Sequence, residues 1–136
     1  MFELHERLAA DTIQIMDFPL SRVLLMNDAR YPWVILVPRQ NGLKELHELS
    51  EGDGIQLWKE IKTASKFMEV AFDCDKVNVG ALGNLVPQLH IHIIARKVHD
   101  AAWPGPVWGV GQAENYVDDE LKKIQDELTA GFKNAF

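Results

Sequence analysis

Cysteine is nearly absent from this chain. Cys74 stands alone, so no internal disulfide and no cysteine-based zinc cluster is expected, and a reducing cytoplasmic setting is the natural reading. Positive charge is also scarce: 14 Lys and Arg stand against 20 Asp and Glu, a formal net charge of −6. A negative surface is a poor partner for nucleic acid or an anionic membrane, so neither is expected. Any phosphate must be handled by a local site, not by a general positive field. No apolar run reaches the ~18 residues of a membrane span. The start, Met1 to Arg7, lacks the basic head and apolar core of a signal peptide. No internal repeat or low-complexity tract interrupts the 136 residues, which fit a single domain.

What is present alternates between two periods. Phe2 to Ala10, with apolar residues at Phe2, Leu4 and Leu8, reads as a short helix. Thr12 to Phe18 alternates apolar and polar, Pro19 breaks it, and Arg22 to Met26 follows, which predicts a hairpin. After the turn-rich loop Asn27–Pro32, the apolar run Trp33–Val37 predicts a central strand buried on both faces. Ser50 with Asp53 resembles a capping box. Ile55, Trp58, Ile61 and Met68 then predict one long helix to about Phe72. Lys76–Gly80 and Gln88–Ala95 read as strands, and Asp100–Gly111 as an irregular tail. Tyr116–Phe132 reads as a closing helix with Gly131 near its C-cap. Hairpin, helix, strands and helix make an α+β domain.

The chemistry sits in Gln88-Leu89-His90-Ile91-His92-Ile93. On a strand, alternate residues share a face, so Leu89, Ile91 and Ile93 go to the core while Gln88, His90 and His92 share the other side. Two such histidines lie about 7 Å apart at Cα, close enough to touch one phosphoryl group. A neutral imidazole offers one nitrogen for attack while the other keeps its proton on a carbonyl. A second imidazole can donate to phosphoryl oxygens as charge builds up. His-x-His is equally a metal-ligand spacing. Arg96 and Lys97 stand where a further acidic ligand would be expected. On these residues alone, metal binding, phosphate chemistry and neither stay equally open. His5, His47 and His99 read as ordinary surface or packing residues, and Trp33, Trp58, Trp103 and Trp108 as packing groups. Trp103 is the one of the four to watch, and Arg96 is as ordinary at a strand end as near a phosphate.

The wider context resembles one family. Asn84 to Arg96 is similar to the histidine-triad (HIT) signature of three alternating histidines followed by an arginine, here with Gln88 at the first position, a bacterial-type variant. Asn27-Asp28, Val34 to Arg39, Val77 to Gly80, and His99 with Trp103-Pro104 resemble the family's ribose loop, buried strand, Asn-x-Gly stretch and Trp-Pro tail, in order from Leu24 to Gly105. The resemblance implies an antiparallel sheet of about five strands with one long and one C-terminal helix. It implies one domain over 1–136, with 1–11 as an N-terminal segment and 100–136 as tail and final helix. It implies a homodimer and a hydrolase or transferase acting at the α-phosphate of a purine nucleotide conjugate, a dinucleoside polyphosphate or a nucleoside phosphoramidate.

In that reading His90 is the nucleophile, and His92 and Gln88 complete the catalytic set. Asn27, Asn78 and Asn84 bind substrate, and no metal or cofactor is needed. Two departures stand out. Gln88 cannot titrate near neutrality. Trp33-Val34 replaces the Gly-His or Thr-His expected before the buried strand, so the supporting histidine there is missing. The alternatives are a nucleotide-binding regulator without catalysis and a His-x-His metalloprotein.

Overall fold

A computed structural model describes residues 1–136. Five strands form one antiparallel sheet in the order β1 (Thr12–Asp17), β2 (Ser21–Met26), β3 (Trp33–Pro38), β5 (Ile91–Arg96), β4 (Lys76–Gly80). Three helices accompany it: α1 (Glu6–Asp11), α2 (Glu51–Ala71) and α3 (Asp118–Phe132). None is long and apolar enough to cross a membrane. The α+β class and the five-strand sheet are as the sequence predicts.

Period-two alternation sends the strand residues into two cores. Val34, Leu36, Ile91 and Ile93 meet Leu57, Ala64 and Met68 of α2 and Ile124, Leu128 and Phe132 of α3. On the other face Leu24, Ile35, Val37 and Ile94 are covered by Leu8, Tyr31, Trp33, Val86 and Val107. All six residues of β3 are buried, which is why it reads as an unbroken apolar run.

Local signals set the helix ends. Ser50 caps α2 by accepting from the Asp53 N–H at 3.1 Å. The face α2 turns inward matches the predicted one only at Ile61 and Met68. Leu57, Glu60, Ala64 and Met68 are buried, whereas Ile55 and Trp58 are exposed. Trp58 is therefore not a packing group. The stripe was hard to see because a glutamate lies in it. Gly131 lies in the last turn of α3, near the C-cap Lys133 as predicted, but what keeps it small is a neighbour: a Cβ there would run into the Phe67 ring. The glycine lets α3 approach α2.

Glu60 is fully buried yet fully used. Its carboxyl oxygens accept from Leu20 N at 2.8 Å, Ser21 N at 3.0 Å and Gln56 Nε2 at 2.9 Å, tying α2 to the β1–β2 turn. Glu60→Ala orphans two buried backbone donors and should cost ~3 kcal/mol. The check is a lower urea midpoint at an unchanged m-value. Glu60→Gln, which keeps one accepting oxygen, should fall between.

Candidate functional site

The ladder register fixes where the histidines emerge. His92 lies opposite Ile35 on β3 and Gly80 on β4, so its ring stands on the face away from α2 and α3. His90 lies just before β5, and the two rings meet edge to face at 4.8 Å. Both are buried. His90 Nδ1 lies 2.7 Å from the Gln88 carbonyl oxygen. A carbonyl only accepts, so Nδ1 carries the proton and Nε2 the lone pair. Burial pushes His90 below its ordinary value, the bond to Gln88 opposes this, and His5 nearby adds a smaller repulsion. Burial, with His90 beside it, pushes His92 down to about 3. Both imidazoles are neutral at pH 7.

Aromatic groups enclose His92. Trp33 Nε1 donates to His92 Nδ1 at 3.0 Å, with the rings 5.6 Å apart. Trp108 meets His92 edge to face at 5.2 Å. Room for Trp108 comes from Gly80, where a Cβ would sit 3.2 Å from the indole. Trp108 packs, as the sequence suggests, whereas Trp33 is more than a packing group, which composition alone did not reveal. The indole direction, set by the first position of β3, was the missing signal.

Both histidines open into a cavity of about 630 Å³ between the sheet, α1, the loop 82–86 and the tail 107–115. Asn27 and Asn84 line it, as do Trp33, Trp108, Arg7 and Arg30. Asn27 Oδ1 also accepts from Tyr116 N at 2.9 Å, anchoring the approach to α3. Arg30 is clamped by Asp28 through Nε at 3.0 Å and Nη2 at 2.8 Å, and reaches Val110 O at 2.6 Å. Burial raises the Asp28 carboxyl, but hydrogen bonds from Arg30 and from Glu114 N–H outweigh it and hold it below the usual value.

Gln88 and Asn78 lie outside this cavity. The strand begins only at Ile91, so the alternation that should put Gln88 beside the histidines is not established there. Instead its side chain grips the N-terminal segment, Oε1 accepting from His5 N at 2.8 Å and Nε2 donating to Glu3 O at 2.9 Å. Asn78 Oδ1 accepts from Arg96 Nη1 at 2.8 Å. Arg96 likewise lies outside the cavity: it is buried, with Nε on Asp100 at 2.7 Å and Nη2 on Gly105 O at 2.9 Å. Trp103 lies over its guanidinium, and that hydrogen-bonded guanidinium holds the Asp100 carboxyl down at about 2. His5 caps α1 by accepting from Arg7 N at 3.0 Å.

The HIT domain model matches residues 7–99. Solved structures described as histidine triad proteins are similar over nearly the whole chain. That from Bradyrhizobium japonicum is 48% identical with a TM-score of 0.94, covering 96% of this chain and 97% of its own. That from Marinobacter aquaeolei VT8 is 46% identical with a TM-score of 0.97, covering 100% and 99%. That from Sinorhizobium meliloti 1021 is 42% identical with a TM-score of 0.93, covering 96% of each. Among curated proteins none matches the chain.

Gln88→Ala removes two hydrogen bonds that hold the segment leading into α1, a wall of the cavity. At ~1 kcal/mol each, their loss should speed exchange of the His5 amide about tenfold or more and lower global stability by no more than the same ~2 kcal/mol. Hydrogen exchange read residue by residue checks this, and unaltered exchange at His5 would count against the clamp.

Proposed function

The chain belongs to the HIT domain family, and from that premise we propose that it hydrolyses a purine nucleotide conjugate, or transfers its nucleotidyl group, by attack at the α-phosphorus. Dinucleoside polyphosphates and nucleoside phosphoramidates are the substrate classes. The observation that carries the reading is the 2.7 Å hydrogen bond from His90 Nδ1 to the Gln88 carbonyl, at the edge of a nucleotide-sized cavity. With Nδ1 protonated and the ring neutral, the Nε2 lone pair is free to attack. A bond forms from Nε2 to phosphorus, and the bond to the leaving oxygen or nitrogen breaks. The leaving group departs with the electron pair and takes up a proton. Water then displaces His90 from the nucleotidyl-imidazole, dividing one hard displacement into two easier ones.

His92 stands beside the reacting phosphoryl group in this scheme, and Asn27 and Asn84 are its ribose and phosphate contacts. A two-histidine metal centre is the less favoured reading: the Trp33 indole at His92 Nδ1 leaves a proton and no lone pair at its Nε2, and no group of three or more His, Cys, Asp or Glu side chains is placed to share an ion. A homodimer in the cytoplasm completes the proposal. The exposed Ile55 and Trp58 on α2 and Val79 on the edge strand β4 support the dimer, for which light scattering should return twice the chain mass.

His90→Ala should lower turnover of an adenosine phosphoramidate by at least ~10³-fold while the protein stays folded, as its circular dichroism will show. Unchanged turnover would sink the assignment. Nucleotide affinity without product in the wild type would instead identify a regulator. The pH profile tests the same nitrogen. His90 attacks only when neutral, and its folded value is depressed, so the acid limb of kcat/KM should lie below pH 6.5. A limb centred at or above 6.5 would contradict the burial of the nucleophile.

A further inference from the structure

We propose that Trp33 is a positioning residue that holds His92 with its proton on Nε2. The ring thereby offers a hydrogen-bond donor, not a second lone pair, to a phosphoryl oxygen of a group bound at His90. The catalytic consequence rests on the proposed function, whereas the tautomer does not.

An indole N–H donates and has no lone pair to offer. At 3.0 Å from His92 Nδ1 it makes that nitrogen the acceptor, and the neutral ring must then carry its proton on Nε2. Trp33 and His92 are 6% and 5% exposed, so water does not substitute for the bond, and leaving it unmade would orphan a buried donor. A proton on Nδ1 would set two donors head to head.

The sheet holds the donor in place. Trp33 pairs with Ile94, two residues beyond His92 on β5, and Tyr31 packs against its indole edge to face at 6.3 Å. Trp108 then closes on His92 and on Trp33 edge to face, at 5.2 and 6.5 Å. Tautomer and ring orientation are fixed together.

The neighbouring ring is set the opposite way. His90 has a carbonyl at Nδ1 and so a lone pair at Nε2; His92 has a donor at Nδ1 and so a proton at Nε2. Two residues of one type become an acceptor and a donor because one faces a backbone oxygen and the other an indole.

The test uses the full chain labelled with nitrogen-15, and position 33 carrying either Phe or the benzothiophene analogue of Trp, which keeps the shape and replaces N–H by sulfur. In the wild type, a scalar coupling between the Trp33 indole nitrogen and His92 Nδ1, with the proton on Nε2, is expected. Removing an oxyanion donor outright costs about 10²–10³ in kcat. A ring free to turn loses part of that, so both variants should show kcat on an adenosine phosphoramidate ~10-fold lower, with KM within ~2-fold.

A proton on His92 Nδ1, an absent coupling, or wild-type kcat in the analogue would overturn the proposal. Should Trp33→Phe fail to fold, the analogue decides. Coupling and Nε2–H in a wild type that turns over no nucleotide conjugate would uphold the tautomer and remove the hydrolase reading. His90-dependent turnover without the coupling would do the reverse.

Discussion

Burying two imidazoles edge to face obliges the protein to satisfy each ring nitrogen that points inward. An unpartnered buried polar atom costs about 1–3 kcal/mol, and a buried imidazolium costs more, so both rings stay neutral and both Nδ1 atoms find partners. The partners differ in kind, and much of the surrounding architecture follows. The Gln88 carbonyl requires a bend just before β5. The Trp33 indole requires β3 to begin at that residue. Trp108 can close on His92 only because Gly80 has no side chain.

The face that bears these rings has no helix layer of its own beyond the short α1. β3 is apolar on both sides and β5 buries all six of its residues, His92 and Arg96 among them, so both need cover, and an irregular tail supplies it. Such a segment has few backbone ladders to hold it, so charges do the holding. Arg96 ties residues 100 and 105 to Asn78, and Asp28 with Arg30 ties residues 110 and 114 to the loop after β2. Buried ion pairs add uncertain net stability, but each is satisfied here and each fixes one place where the tail must pass. Arg30 is thereby neutralised, which leaves the cavity without a strong positive field in a chain of net charge −6.

The strands and α2 were legible because their periods survive in the residues: alternation in β1, an unbroken apolar run in β3, a serine cap before α2. The inward face of α2 was not, because Glu60 occupies the stripe and is recognisable as buried only from the three donors it satisfies. Gly131 was legible as lying near the end of α3, but its reason for being small, the Phe67 ring, belongs to another helix. His90 and His92 were legible through alternation and the family resemblance. Gln88 was assigned to the site by strand alternation and the family resemblance, and Asn78 by the resemblance alone, yet their partners lie 85 and 18 residues away along the chain. Trp33 could be read as apolar bulk; that its one polar atom meets His92, 59 residues on, depends on the strand pairing.

Gln88, which the family resemblance sets at the first triad position, then acquires a physical account. Position 88 holds the His90 ring through its main-chain oxygen, which any residue supplies. In the proposed reaction, Nε2 bonds to phosphorus and positive charge spreads to the Nδ1–H. That strengthens the hydrogen bond to the carbonyl, since charge-assisted bonds are roughly twice as strong as neutral ones. The covalent intermediate is therefore stabilised by an atom that a substitution at 88 leaves untouched. The side chain is released for another task, and it takes one, holding Glu3 and His5 so that α1 stands as a wall of the cavity. A glutamine there is no defect in attack on this account; its influence falls on how the cavity is closed around the nucleotide.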